Sequence, residues 1–335
     1  MAQIPVIALT GYLGAGKTSL LNHVLKAPGA RIGVVINDFG EINVDAALVS
    51  GQIDEPASIA GGCICCLPDE GGLDAALEKL SDPRLRLDAI IVEASGMADP
   101  IAVSRIIRFS GAERVRPGGV VDVIDAARHF ETVDRGGTAP ARYGAASLVV
   151  VNKLDQVPGR DEVLARIAAR VAERNPAAHV VGAVGGRVDP ALLYDVAEQP
   201  EEAAGQLSLR ELLVGDEEHH HVHAASVTVG RAGCIDPDPL LTLAENPPPG
   251  VYRLKGTVAV GYRDRVRGYV VNVVGPSVHV ATVRSAPAVS SLVAIGTDLD
   301  TDAVRARLED ALVSCAGPAP SVGIRRLQRY RRLSI

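Results

Sequence analysis

A glycine-rich loop near the amino terminus constrains the fold of this chain more than any other feature. Residues 11–18, GYLGAGKT, fit the pattern G-x-x-x-x-G-K-[S/T] and stand between the apolar run IPVIAL and the helical pattern KTSLLNHVLKA. Backbone N–H groups of such a loop converge on phosphate only when a buried strand leads into it and a helix begins at its end. The segment is therefore predicted to be a strand–loop–helix unit that binds phosphate.

Further apolar runs extend this unit into a sheet. IGVVIN, LDAIIVEAS, GGVVDVID and SLVVVNK are short and continuously apolar, and helical patterns such as RDEVLARIAARVAERN separate or follow them. Apolar strands that alternate with helices are typical of a parallel sheet covered on both faces. We expect an α/β domain over residues 1–197, with a doubly wound, mostly parallel sheet.

The composition changes after this domain. Residues 198–223 are polar, acidic and histidine-bearing, which predicts a linker. Residues 224–335 contain β-branched runs at hairpin spacing and a helical pattern, TDAVRARLEDALVSC, and they predict a smaller α+β domain. The arginine-rich end, GIRRLQRYRRLSI, is predicted to be a solvated helix or strand, and contact with a client or an anionic surface is the alternative.

Composition excludes several classes of protein. Hydrophobic residues make up 47% and charged residues 22%, which predicts a packed globular chain. A net charge of −6 argues against a nucleic-acid partner, and no apolar run approaches the roughly 20 residues of a membrane helix. With only five cysteines and no secretion signal, the chain is predicted to be cytoplasmic, without a membrane partner.

The loop supplies the predicted phosphate ligands. Lys17 would bridge the β- and γ-phosphates, and Thr18 would hold Mg²⁺ through its hydroxyl. The alternative is a glycine-rich turn with a chance lysine, which the flanking strand and helix disfavour. The residues predicted to bind nucleotide here are Gly11, Gly14, Ala15, Gly16, Lys17, Thr18 and Ser19.

A second motif indicates the base. Asn152, Lys153 and Asp155 lie in NKLD at the end of an apolar run, about 135 residues after the loop. A carboxylate there accepts hydrogen bonds from guanine N1–H and its amino group, and adenine offers neither donor. A surface loop is the alternative for so common a tetrapeptide. The position after an apolar strand favours GTP.

A third motif places an acidic residue beside the phosphates. Glu93 ends the run IIVEA, and Gly96 follows three residues later. Acidic residues at the carboxyl ends of parallel strands face the ligand crevice of an open sheet. Glu93 is predicted to order the Mg²⁺ shell or the attacking water, and Gly96 to approach the γ-phosphate, so that Lys17, Glu93 and Gly96 are the predicted catalytic residues. A helix cap is the alternative for Glu93. The sequence shows no arginine finger, so slow GTP hydrolysis is expected.

Three of the five cysteines stand within four residues, GGCICC, at Cys63, Cys65 and Cys66. Thiolates suit zinc and other thiophilic metals, but one such run supplies at most three ligands, which predicts an open, exchangeable site. A vicinal disulfide that senses redox state and inert buried thiols are the alternatives. The linker histidines are either weak metal ligands or a solvated loop, and they are His219, His220, His221 and His223.

These motifs together resemble the CobW-like family of P-loop GTPases, metallochaperones related to HypB and UreG. The matching segments are GYLGAGKTSLLNHVL, NDFGEINVD, GGCICC, VEASGMADP, VNKLD, VYRLKGTVAV and LVAIGTDLD. The resemblance implies GTP and Mg²⁺ binding, slow GTP hydrolysis, and transfer of a metal, most often zinc, to client proteins. It adds Asp38 and Glu41 as candidate metal or switch residues, although the family commonly has Glu where Asp38 stands.

Other functions stay open at this point. Delivery of cobalt or iron to one metalloenzyme uses the same fold, and a metal-buffering or redox-sensing module would use the cysteines without nucleotide control. An ordinary signalling GTPase ranks last, since it leaves the cysteines without a purpose. The sequence does not specify the client protein, and a homo-oligomer is compatible with it.

Overall fold

The first part of the chain forms a parallel sheet. The structure is a computed structural model that describes residues 3–26, 30–37, 72–94, 96, 98–194 and 224–334. Six strands pair in the order β2-β3-β1-β4-β5-β6, and every pairing is parallel. The strands are β1 (Ile4–Gly11), β2 (Ile32–Asn37), β3 (Ala89–Ala94), β4 (Val115–Asp125), β5 (Leu148–Asn152) and β6 (His179–Gly182).

Helices cover both faces of this sheet because its strands are apolar on both sides. On β1, Ile7 and Leu9 join one buried cluster, while Val6 and Ala8 join another on the opposite face. The helices are α1 (Lys17–Leu25), α2 (Gly72–Leu80), α3 (Pro100–Arg108), α4 (His129–Thr132) and α5 (Arg160–Arg174). Helix α1 packs into the first cluster, and α2 and α3 pack into the second. The predicted doubly wound α/β fold is confirmed.

The second part forms an antiparallel sheet with helices packed against it. Its five strands pair in the order β10-β9-β8-β11-β7. They are β7 (Ala225–Ala232), β8 (Val251–Gly261), β9 (Val266–Val274), β10 (Ser277–Val283) and β11 (Val289–Gly296). The helices are α6 (Pro237–Glu245), α7 (Thr301–Ala311) and α8 (Ser321–Leu333). The predicted α+β architecture of this part is confirmed, and the acidic linker of residues 198–223 lies outside the described residues.

The arginine-rich end forms helix α8 and is bound to its own domain. Leu327 is fully buried in the core of the second sheet, and Arg326 pairs with Asp238 and Glu245 of α6. Three other arginines of this helix, Arg325, Arg329 and Arg332, are exposed. The helix is therefore held to its domain by the buried Leu327, by the ion pairs of Arg326 and by the hydrogen bond from Tyr330 to Glu245.

A polar junction joins the two sheets at the amino-terminal end of β5 and β6. The buried hydroxyl of Tyr252, on β8, lies 3.2 Å from the hydroxyl of Ser147. The ring of His179 stacks on Tyr252 at 5.5 Å, and its Nε2 lies 2.8 Å from the hydroxyl of Thr297. Ligands of such sheets bind at the carboxyl ends of the strands. This junction therefore lies at the edge of the sheet opposite the expected ligand site.

None of the helices that the structure describes has the length and apolar character needed to cross a bilayer.

Acid is predicted to destabilise the fold through His129, which is 1% exposed. Burial lowers the pKa of His129 to about 4, from an ordinary value of 6.5, and the charges of Asp134 and Asp122 oppose that shift only partly. As pH falls, His129 therefore takes up a proton near pH 6.5 in the unfolded chain but only near pH 4 in the folded protein. Stability is present above this window and is lost as pH falls, on the order of 2 kcal/mol by pH 5.

Urea unfolding of the wild type and His129→Gln at pH 7 and pH 5 measures this effect. Glutamine does not titrate, so the variant is expected to lose on the order of 2 kcal/mol less than the wild type between the two pH values. The same comparison for His279→Gln serves as a second case, because burial and then Arg116 also lower the pKa of His279 to about 4. An equal loss in wild type and His129→Gln would refute the role of His129.

Candidate functional site

The glycine-rich loop connects β1 to α1 in a conformation that requires glycine. Gly16 has a φ of +102°, and a Cβ at this position would collide with the side-chain amide of Asn152. A Cβ on Gly11 would lie 2.5 Å from the carbonyl oxygen of Val123. Gly16 also caps α1, with no side chain bonded to the first turn. The first N–H groups of the helix therefore point into the loop, where they and the helix dipole favour an anion.

Lys17 lies across this loop. Its side chain is 9% exposed, and its ammonium donates to the carbonyl oxygen of Gly11 at 3.0 Å. The lysine side chain therefore folds back over the glycine-rich loop. The first N–H groups of α1 point into the same loop. A charge in this position can bind phosphate oxygens without a large movement of the helix.

Thr18 and Glu93 bring two oxygen ligands together. The Thr18 hydroxyl donates to Glu93 Oε1 at 3.2 Å, and Glu93 is 3% exposed. Glu93 reaches this position because β3 pairs with β1 in a register that sets Glu93 opposite Leu9, just before the loop. A hydroxyl and a carboxylate are hard oxygen donors of the kind Mg²⁺ prefers. These two residues therefore fit a magnesium ion beside the phosphates.

Gly96 lies against the glycine-rich loop. A Cβ on Gly96 would come within 2.8 Å of the backbone nitrogen of Leu13. Only a glycine permits the chain after β3 to approach the loop so closely. The structure therefore brings Gly96 beside the loop that the sequence predicted to cradle phosphate.

Asn152, at the end of β5, connects the glycine-rich loop to the segment that follows β6. Its side chain donates to the carbonyl oxygen of Ala15 at 2.9 Å and accepts from the N–H of Gly186 at 2.8 Å. Its side chain is 2% exposed. Asn152 therefore holds the loop in shape through these two hydrogen bonds.

Lys153 and Asp155 stand in the turn after β5. Lys153 has a φ of +62° and pairs with Asp125 at 2.7 Å. Asp155 lies in the short 3-10 turn Leu154–Gln156, and its side chain is exposed. An exposed carboxylate on a turn that Asn152 ties to the phosphate loop is free to accept hydrogen bonds from a base.

Three residues of the site were missed by the sequence analysis. Asp125 is the partner of Lys153, and Gly186 donates its N–H to Asn152. Asp122 is fully buried, accepts from Thr10 at 2.9 Å, and pairs with Arg142 at 2.7 Å. The two aspartates in VVDVID and the glycine pair in AVGGR were the available signals, but local sequence does not say which side chains they would meet.

The remaining predicted residues divide into two groups. Gly14 and Ser19 lie in the exposed part of the loop and of the first turn. In the ranges that the structure describes, no group of three or more His, Cys, Asp or Glu side chains could hold a metal ion. Apart from Thr18, the predicted metal ligands lie outside those ranges, and they are Cys63, Cys65, Cys66, Asp38, Glu41, His219, His220, His221 and His223.

The fold and the site place the chain in the class of P-loop GTPase folds. The defining features are a glycine-rich loop after β1, an acidic residue at the end of the adjacent strand β3, and an Asn-Lys-x-Asp turn after β5. Residues 5–182 match the nucleotide-binding domain of the CobW/HypB/UreG family, and residues 224–312 match the C-terminal domain of the cobalamin synthesis protein CobW. The chain belongs to the CobW/HypB/UreG family.

Curated relatives agree with this assignment. The chain is 34% identical over 202 residues to the zinc chaperone YjiA of Escherichia coli, covering 58% of this chain and 62% of that protein. It is 33% identical over 211 residues to the zinc chaperone CobW of Pseudomonas aeruginosa, covering 53% of this chain and 56% of that protein. It is 28% identical over 305 residues to the zinc chaperone CobW of Sinorhizobium sp, covering 80% of this chain and 81% of that protein. The matches to YjiA and to the Pseudomonas protein thus span about six-tenths of those relatives.

Proposed function

We propose that this protein is a GTP-hydrolysing metallochaperone that binds zinc at Cys63, Cys65 and Cys66 in a nucleotide-dependent way and delivers it to client proteins. The observation that carries the nucleotide part is the arrangement of Lys17, Thr18 and Glu93 around one glycine-rich loop. The names of the relatives, zinc chaperones in three bacteria, support the metal part.

The chain's own residues supply most of the nucleotide chemistry. The N–H groups at the start of α1 and the ammonium of Lys17 neutralise phosphate charge, and Asp155 selects guanine. Thr18 and Glu93 would hold Mg²⁺, which would neutralise charge between the phosphates. Glu93 or the backbone of Gly96 would orient the attacking water. Hydrolysis without an arginine finger is expected to be slow.

Zinc is the cargo in this proposal. The three cysteines lie in the sequence between the phosphate loop and Glu93, an interval that carries γ-phosphate-dependent segments in many P-loop GTPases. A metal site there would change affinity when GTP is hydrolysed, because the segment that holds its ligands would lose its contact with the γ-phosphate. Asp38 and Glu41 lie in the same interval and are the proposed additional ligands or switch residues.

Zinc affinity in two nucleotide states tests the proposal. Competition with a chelating dye under reducing conditions, with Mg²⁺ and either a non-hydrolysable GTP analogue or GDP, is expected to show at least tenfold tighter binding with the analogue. A factor of ten corresponds to about 1.4 kcal/mol of coupling. Parallel titrations with Co²⁺ and Fe²⁺ test the cobalt and iron alternatives. Equal zinc affinities in both states would contradict nucleotide control and favour a metal-buffering or redox-sensing module.

A further inference from the structure

Two cysteines that are 81 residues apart in the sequence face each other in the second domain. Cys234 follows β7, and Cys315 lies between α7 and α8. Ile235 and Ser314 form an antiparallel bridge, and the N–H of Cys315 donates to the carbonyl oxygen of Cys234 at 2.9 Å. The neighbouring N–H of Asp236 donates to Val313 at 2.9 Å. This register places Cys234 and Cys315 directly opposite each other, with their side chains on the same side.

The spacing of such a pair fits a disulfide. Because the N–H of Cys315 donates to Cys234, the two cysteines occupy a hydrogen-bonded position of the antiparallel pair, where Cα atoms lie about 5.5 Å apart, within the range of about 4.4–6.8 Å that disulfides span. The thiol of Cys315 donates to the carbonyl oxygen of Gly317 at 3.4 Å. A Cβ built on Gly261 would lie 2.7 Å from that oxygen and 3.8 Å from the sulfur of Cys234. Both sulfurs therefore lie around the same small region of backbone.

Both thiols are free and partly exposed. Each cysteine is free and of intermediate exposure, so a small reagent has access to it. The match to the CobW C-terminal domain ends at residue 312, before Cys315, and no part of the proposed zinc site uses either residue. The pair therefore lies outside the site that the proposed function uses.

We propose that Cys234 and Cys315 are a reversible redox site that is oxidised to an intramolecular disulfide by low-molecular-weight disulfides such as oxidised glutathione. One cysteine thiolate attacks a sulfur of oxidised glutathione, forms a mixed disulfide, and releases one glutathione thiolate, which takes up a proton. The second cysteine thiolate then attacks the mixed disulfide, forms the Cys234–Cys315 bond and releases the second glutathione. Two protein thiols are oxidised, and one glutathione disulfide is reduced to two thiols.

The bond would join the segments that lead into helices α6 and α8. These helices already meet beyond the cysteines, where Arg326 pairs with Asp238 and where a Cβ on Gly323 would lie 2.7 Å from the Asp236 carboxylate. Oxidation would therefore fasten α8 to α6 by a covalent bond in addition to this ion pair. The arginine-rich helix would be held more firmly in the oxidised protein than in the reduced one.

Peptide mapping of the full-length, metal-free protein tests the site. The protein is equilibrated in mixtures of reduced and oxidised glutathione, quenched with acid and an alkylating reagent, and digested with trypsin. Cys234 falls in the peptide of residues 232–253 and Cys315 in that of residues 308–325, each with one cysteine. We expect these two peptides to appear linked. The linked fraction should depend on the square of the reduced-glutathione concentration, since forming the bond releases two glutathione molecules.

Cys315→Ser and Cys234→Ser are the matched controls. In either variant the remaining thiol can form only a mixed disulfide, which adds the mass of one glutathione and depends on the first power of reduced glutathione. A variant in which Cys63, Cys65 and Cys66 are all replaced by serine should retain the linked peptide. Absence of the linked peptide under oxidising mixtures, or linkage of Cys234 or Cys315 to the GGCICC segment instead, would overturn the proposal.

Discussion

Asp155→Asn is expected to weaken GTP binding at least 100-fold and to create affinity for xanthosine triphosphate. The carboxylate of Asp155 is exposed at the end of β5, where it can accept from both N1–H and the 2-amino group of guanine. An asparagine amide turns one of these acceptors into a donor, which then faces the amino group. Xanthine carries a carbonyl oxygen in place of that amino group, so the amide pairs with it. A factor of 100 corresponds to about 2.7 kcal/mol, in the range of one lost charge-assisted hydrogen bond.

Nucleotide affinities measured with fluorescent analogues of both triphosphates give the result directly. Asp155→Ala is the control, because it removes the acceptor without supplying a donor. Its affinity for GTP should fall, and its affinity for the xanthosine nucleotide should not rise. The phosphate loop is unaffected by either change, since Asn152 and not Asp155 ties the turn to Ala15. Unchanged GTP affinity in Asp155→Asn would remove the guanine assignment from this turn.

Cys65→Ser is expected to lower zinc affinity at least 100-fold and to leave GTP affinity within about twofold. A serine hydroxyl stays protonated at neutral pH and is a poor ligand for zinc, so one of at most three thiolate ligands from this segment is lost. The proposed nucleotide contacts lie in the loop between β1 and α1 and in the turn after β5, away in sequence from Cys65. Dye competition for zinc and a nucleotide titration on the same preparation separate the two effects.

Cys315→Ser is the matched control for zinc, since it removes a thiol outside the GGCICC segment. Its zinc affinity should equal that of the wild type under reducing conditions. If Cys65→Ser binds zinc as tightly as the wild type, the cysteine segment has no part in metal transfer, and the proposed chaperone function loses its metal site.

Much of the fold could be predicted because its signals are local. The apolar run before Gly11 and the helical pattern after Lys17 specified β1 and α1, and the pattern over residues 160–175 predicted α5, observed as Arg160–Arg174. For the arginine-rich end the sequence predicts a helix or a strand, and the structure shows helix α8 with Leu327 fully buried. The core that receives Leu327 is built from residues distant in the chain, which local sequence does not reveal.

The site could be predicted only in part, because its residues act in pairs. Glu93 and Thr18 were each singled out from motifs, yet their 3.2 Å contact depends on how β3 pairs with β1. Asn152 is predicted to contact nucleotide, and its additional bonds to Ala15 and Gly186 could not be predicted because both partners are distant in the chain. Asp125 was missed because its role comes from its ion pair with Lys153, and that pairing depends on how β4 lies beside β5.

The sequence by itself determined the strand–loop–helix unit, the Asn-Lys-x-Asp turn and the change from an α/β to an α+β domain, since each depends on residues close together in the chain. The tertiary structure alone decided the strand order β2-β3-β1-β4-β5-β6, which sets β1 between β3 and β4 and so gathers Glu93 and Asn152 around one loop. It also decided that Cys234 meets Cys315. The physical reason is that strand order and cross-strand register come from packing between distant segments, and local periodicity carries no record of which segments meet.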